Sequence, residues 1–274
     1  GELSLKLKKI IFVALVSIVV CSFGGCQQDV QTDETLSDTK LQELKIGVDT
    51  LAPYFYTDEN GNFAGIDAEI ATEACRRAGY TPNFIKINWD NRDQYLQNET
   101  VDCLWTAFVK DGKEDSYLWT DTYLKSNLRV ITGRKSPDKD IYTLGGRGGI
   151  AVRAGSKAED LLLEDKEIKK VYSCRTFEMA ETAFVKNYAA ALCGHELVLQ
   201  QIVNNYSDLY EFLDDLLMTA DLGVAFQKGD YSEQWKQINE VLNDMKDDGT
   251  ISEIYEKYSL DTADDKEVPV NVEN

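Results

Sequence analysis

Histidine is almost missing from this chain. One occurs in 274 residues, His195, in the stretch AALCGHELVLQQ at 190–201. A metal centre built on several imidazoles is thereby excluded, and no cysteine stands at ligand spacing from His195 to take their place. The cysteines contain no CxxC pair, so neither a zinc ribbon nor a dithiol redox motif is indicated. Basic residues are outnumbered, with Lys+Arg 29 against Asp+Glu 48 and a formal net charge of −19. That balance argues against a nucleic-acid partner, which needs a basic surface to displace counterions. It is compatible with a small cationic or zwitterionic ligand, or simply with a solvated acidic surface. No apolar run is long enough for a transmembrane helix, which takes about 20 residues. A nucleophile elbow is lacking too, so a Ser-His-acid triad through His195 has no motif behind it.

What is present begins with an N-terminal leader. Lys6, Lys8 and Lys9 precede the apolar run Ile10 to Val20, the n-region and h-region of a secretory signal. The following SFGGCQQ resembles a bacterial lipobox, with Phe23 where leucine is usual. The resemblance implies cleavage before Cys26 and a lipid on its sulfur; Cys21, after bulky Val20, is the poorer site. Residues 1–25 are then a signal peptide. QQDVQTDETLSDTK, without apolar periodicity or glycine, reads as a tether over 26–41. Of the remaining cysteines, Cys75 falls on a helical apolar stripe with Ile70, Ala71, Ala74 and Ala78, while Cys103 and Cys193 end apolar runs. Buried thiols are expected of these and Cys174, with a disulfide left open.

The rest alternates between two periodicities. LKIGV (44–48), NFIKI (83–87) and VDCLW (101–105) read as strands, with an amphipathic helix over 66–79 between the first two, capped by Gly79. A second set follows: strands at 148–152, 170–173 and 189–193, and helices beginning near 155 and over 176–187. A last strand, LGVAF (222–226), precedes two helices separated by DDGT at 247–250. Strand–helix alternation predicts an α/β protein of two units, each a mainly parallel sheet with flanking helices. Ligand sites in such sheets lie beyond the carboxyl ends of the strands.

Five segments, in this order, carry a resemblance: IGVDTLAPYFYTDENGNFAGIDAEIA, INWDNRDQYLQNETVDCLW, WTDTYL, VRAGSKAE and DDGTISEIYEKY. Over about 42–262 the chain resembles the family 3 extracellular solute-binding proteins, amino-acid-binding receptors of ABC importers. The resemblance implies a type II periplasmic-binding-protein-like fold whose two lobes close on one small molecule. Lobe 1 would take 42–123 and 222–262, lobe 2 would take 127–218, with crossings at Leu124–Ser126 and Thr219–Asp221 and a tail at 263–274. It implies a monomer without cofactor or metal, anchored outside the membrane by lipid on Cys26 and serving an ABC permease. No catalytic residue is expected. Two other readings stay open: a cyclohexadienyl-dehydratase-like enzyme using His195 or Glu178 as general acid, and a ligand sensor.

The resemblance also implies ligand contacts. Asp49 would sit near the amino or side-chain end, Tyr54 would form a wall, and Trp89 would stack on the ligand. Trp105, Thr106, Ala107 and Phe108 match a carboxylate-binding loop. Arg153, Ser156, Lys157 and Ala158 match a helix N-terminus suited to an anion. Tyr54 and Trp89 could instead be packing residues, and Ser156 only a helix cap. Two positions depart from the family pattern. Lys113 replaces the arginine that grips the α-carboxylate, keeping the charge without the planar fork. His195 replaces the aspartate that receives the α-ammonium, leaving Asp49, Glu196 or Asp67 to supply a countercharge, although Asp67 is expected to fix its helix start. His195 outside the cleft, as a satisfied structural residue, is the remaining alternative.

Overall fold

A computed structural model describes residues 41–229 and 232–260. The leader, Cys26, the tether up to residue 40 and the tail at 263–274 lie outside the described residues. In chain order the elements are β1 (Gln42–Val48), the hairpin strands β2 (Tyr56–Thr57) and β3 (Phe63–Ala64), α1 (Ile66–Ala78) and β4 (Tyr80–Lys86). A 3-10 turn at Trp89–Asn91 leads to α2 (Arg92–Gln97), β5 (Cys103–Leu104) and β6 (Leu118–Trp119). The second set opens with β7 (Leu124–Gly133), α3 (Ile141–Arg147), β8 (Ile150–Arg153) and α4 (Lys157–Glu164). It continues with β9 (Val171–Cys174), α5 (Phe177–Val185), β10 (Ala191–His195), α6 (Glu196–Asn205) and β11 (Tyr210–Leu222). β12 (Ala225–Phe226), α7 (Glu233–Asp247) and α8 (Thr250–Leu260) complete the fold.

Local chemistry accounts for these elements. α1 buries Ile66, Ile70, Ala71, Ala74 and Cys75 on one stripe. Asp67 and Glu69 lie in its first turn and Arg76 and Arg77 in its last, complementing the helix dipole. Gly79 ends it in the left-handed conformation, φ 80°, which a side chain would strain. Gly65, at its start, has φ 115° and no room for a Cβ, which would fall 2.5 Å from the Tyr54 carbonyl oxygen. α7 buries Ile238, Leu242 and Met245, at helical spacing, and packs with α8 against α1. Each such buried side chain contributes about 1.5–3 kcal/mol before entropy is counted.

Two five-stranded sheets result, ordered β4-β1-β5-β12-β6 and β11-β7-β10-β8-β9. The expected parallel pairing holds for β1 with β4 and β5, and for β8 with β9 and β10. The rest is antiparallel: β12 against β5 and β6, and β7 against β10 and β11. The sheets are therefore mixed rather than mainly parallel. Strand–helix alternation reports only strands joined by helical crossovers, whereas β12 enters its sheet directly from β11, without one. The chain passes from the first sheet to the second between β6 and β7, and back between β11 and β12. Beside those passages Ser126 pairs with Ala220, Lys125 with Asp221 and Leu124 with Leu222.

Cys75, Cys103, Cys174 and Cys193 are all unpaired; the first two and the last are buried and Cys174 is partly exposed. Among the described residues no helix is long and apolar enough to cross a membrane.

Candidate functional site

A cavity partly open to solvent lies where loops of the two sheets meet. The first sheet contributes Leu51 after β1, Trp89, the loop Thr106–Val109 after β5, and Lys113. From the second come Leu128 on β7, Arg153 at the end of β8, and Gly155–Ala158 entering α4. Phe177 and the β10 end, Cys193–His195, close the lining. Parallel strands β5, β8 and β10 thus deliver their carboxyl ends to one place, the position that open α/β sheets give to ligands.

Arg153 is the centre of charge. Its Nη2 donates to Asp49 Oδ2, joining the two sheets. Its guanidinium carbon stands 5.2 Å from the Trp89 ring centroid. Only 9% of the residue is exposed, and among the described residues its Nε has no partner. Burial pulls the Arg153 value down against the opposing pull of Asp49, and burial raises the Asp49 carboxyl despite Arg153. The resemblance puts Asp49 near the amino or side-chain end of a ligand. It does not line the cavity, and Arg153 together with the Thr50 N–H already occupies its oxygens.

Beside Arg153 lies the N-terminus of α4. Ser156 caps it, accepting from the Glu159 N–H at 3.2 Å while its hydroxyl donates to the Arg153 carbonyl at 2.7 Å. The hydroxyl is therefore committed to the protein. Glu159 returns the contact by accepting from the Gly155 N–H at 2.6 Å. What α4 offers the cavity is its first N–H groups, those of Lys157 and Ala158, which have no intrahelical acceptor. Lys113 reaches the same edge and donates to Asp160 Oδ2 at 2.9 Å, a second ion pair between the sheets.

His195 lines the cavity from the strand next to Arg153, at the junction of β10 and α6. Its Nδ1 lies 2.8 Å from Ser126 Oγ, which lies 2.9 Å from the Tyr54 hydroxyl. Burial, then the Arg153 charge, push the His195 value down to about 4, so the ring is neutral at pH 7. Tyr54 is no cavity wall: it is fully buried behind His195, its ring edge-on at 5.4 Å. Glu196 is also elsewhere engaged, accepting from Arg129 at 2.9 Å and from Asn127 at 2.7 Å, and is not part of the lining.

In the loop after β5 the Thr106 hydroxyl and the Ala107 N–H are engaged within the protein, while Trp105 Nε1 is buried without a partner among the described residues. Thr106 donates its hydroxyl proton to the Trp105 carbonyl at 2.6 Å and accepts from the Asp49 N–H at 3.2 Å. The Ala107 N–H donates to Asp67 Oδ2 at 2.6 Å, and Tyr123 donates to Asp67 Oδ1 at 2.7 Å. Asp67 therefore pins this loop, where a left-handed Ala107 sits at φ 41°, rather than capping α1. Burial raises its carboxyl to about 7. Trp105 is buried against Tyr123 and does not line the cavity. Phe108 does, edge-on to Trp89 at 5.0 Å.

Ser126 and the lining residues Leu51, Val109, Leu128, Gly155, Phe177, Cys193 and Gly194 were not singled out from sequence. Gly155 and Gly194 carried a signal, each adjoining an expected contact. The apolar ones look like any core residue. Burial holds the Cys193 thiol up at about 12, so it stays protonated. Among the described residues, no group of three or more His, Cys, Asp or Glu is placed to hold a metal ion.

Comparison with known proteins agrees with this geometry. The L-cystine-binding protein TcyA of Bacillus subtilis is 26% identical over 267 residues, covering 89% of this chain and 94% of the relative. The ABC transporter glutamine-binding protein GlnH of the same organism is 23% identical, covering 92% and 97%. Among solved structures, an ancestral arginine-binding protein bound to arginine superposes with a TM-score of 0.73 at 22% identity, covering 80% of this chain and 99% of that one. The fold is that of a type II periplasmic binding protein. The family profile for bacterial extracellular solute-binding proteins, family 3, matches residues 44–261, and the chain belongs to that family.

Proposed function

We propose that this protein captures an amino acid or an amino-acid derivative between its two sheet units and delivers it to an ABC permease. The supporting observation is the cavity itself, lined from both units and bridged at its rim by Arg153–Asp49 and Lys113–Asp160. A ligand in it touches both units at once only when they are together, which makes binding and closure one equilibrium. In this reading lobe 1 takes 42–123 and 222–262, lobe 2 takes 127–218, and the hinge is the pairing of Leu124–Ser126 with Thr219–Asp221. The lipid on Cys26 and the tether keep a monomeric carrier beside its permease. Lining residues serve binding, not catalysis. Against a dehydratase-like elimination stands His195, which at pH 7 has no proton to give as an acid of ordinary strength.

The test is a thermal-shift screen of the soluble domain against amino acids, their derivatives, amines and sugars, followed by small-angle scattering with the best binder. Stabilisation with a fall in the radius of gyration is expected. A binder that leaves the radius unchanged in a protein shown to be open without it overturns closure.

A further inference from the structure

The hydroxyls behind His195 decide which way its ring presents a proton. Tyr54 is wholly buried, and Ser126 is its hydroxyl's single partner among the described residues. A buried phenol proton without an acceptor costs about 1–3 kcal/mol. Tyr54 therefore donates to Ser126. The serine hydroxyl has one proton, and His195 Nδ1 is the acceptor in reach. Reversing the order, with Nδ1–H donating to Ser126 and Ser126 to Tyr54, strands the phenol proton. Letting both Tyr54 and Nδ1–H donate to Ser126 strands the serine proton instead, on a residue only 6% exposed. With Nδ1 accepting, the neutral imidazole carries its proton on Nε2. Nε2 has no protein partner among the described residues, and His195 lines the cavity.

Two independent features point the same way. Arg153 brings a cation to the cavity although the residue is nine-tenths buried, and no carboxylate lines the cavity among the described residues. An α-ammonium placed at His195 would face an N–H donor and find no countercharge. Building on the solute capture proposed above, we propose that the cavity selects a carboxylate whose second anchor is a hydrogen-bond acceptor rather than an ammonium. An N-acylated amino acid is the simplest member of that class. Its carboxylate goes to Arg153 and the α4 N-terminus, and its acyl carbonyl accepts from His195 Nε2–H. Ser126 is the positioning residue that fixes the tautomer.

Two measurements test this on the tag-free protein, in which His195 is the sole histidine. In nitrogen NMR of histidine-labelled protein at neutral pH, Nδ1 is expected at the unprotonated shift and Nε2 at the protonated one; a protonated Nδ1 overturns the proposal. Ser126→Ala should then mix the two tautomers. Calorimetry compares free amino acids with their N-acetyl counterparts, and the N-acetyl member of the best pair is expected to bind at least about tenfold tighter. Equal or tighter binding of the free amino acid overturns the ligand class while leaving solute capture intact. If neither series binds, capture of an amino-acid-like solute falls, and the ligand class with it.

Discussion

The two walls of the cavity are built from different chemistry. The wall from the first sheet is aromatic, Trp89 against Phe108, and in its loop the Thr106 hydroxyl donates to the Trp105 carbonyl and the Ala107 N–H to Asp67. The wall from the second sheet carries the Arg153 cation and keeps donors open at the α4 N-terminus and His195 Nε2. A loop pinned by a buried carboxylate makes a rigid platform. Unspent donors in a closing cavity make a recognition surface, because each costs free energy until a ligand meets it. Shape should therefore reside in the first wall and specificity in the second.

The severest way to break that contrast is Arg153→Met. It removes the cavity's buried cation and leaves Asp49 without its partner. Affinity for the best binder of the screen should fall by about 3–5 kcal/mol, more than a hundredfold, by calorimetry. A loss below tenfold would move recognition away from the second wall.

Next in size is the pH dependence carried by His195, held at about 4 against an ordinary 6.5. Between those values the unfolded chain takes up a proton that the folded one refuses, so stability falls as pH drops from 6.5 to 4. Across the whole interval this amounts to at most about 3 kcal/mol. His195→Asn removes the titration. Urea unfolding of wild type and variant should therefore show wild type losing ground over this window, and a constant difference would mean that the imidazole is better solvated than its packing indicates.

Much of this was legible beforehand, but unevenly between the walls. The α1 stripe, Gly79, the β8–α4 turn and the C-terminal helices follow from periodicity and capping chemistry, which are local. Trp89, Phe108, Lys113, Arg153 and His195 were placed by resemblance, and all line the cavity. Tyr54, Trp105, Asp49 and Glu196 do not, because sequence shows a residue type but not which way it faces or which distant partner has claimed it. Asp49 is claimed by Arg153, and Glu196 by Arg129 from another strand. The role of Ser126 was invisible for the same reason: its partners are 72 and 69 residues away.

The first wall has its own test in Asp67→Asn. Asp67 accepts from both Ala107 and Tyr123, and an amide keeps one acceptor while pointing an NH2 at one of these donors. A loss of about 1–3 kcal/mol in unfolding free energy is expected. Since burial raises Asp67 to about 7, the folded state binds its proton more tightly than the unfolded one, so this group's contribution declines as pH rises from 3.8 towards 7. The variant should lack that decline. If its affinity for ligand falls with stability unchanged, the loop is a recognition element and the contrast between the walls fails.

The smallest effect should come from Asp160→Asn, and its sign is informative. Asp160 holds Lys113 at 2.9 Å, yet its side chain is 39% exposed and that of Lys113 17%. An ion pair so open to solvent is worth less than about 1 kcal/mol to stability, so the melting temperature should barely move. Binding should respond differently, because the substitution frees a cation at the edge where α4 and Arg153 await a carboxylate. A gain of a few-fold in affinity, under about 1 kcal/mol, is the expected result by calorimetry at low salt, shrinking as salt is added. A loss of affinity instead would make Asp160 a ligand acceptor in the closed cavity, and the ligand would then carry a positive charge at the α4 edge.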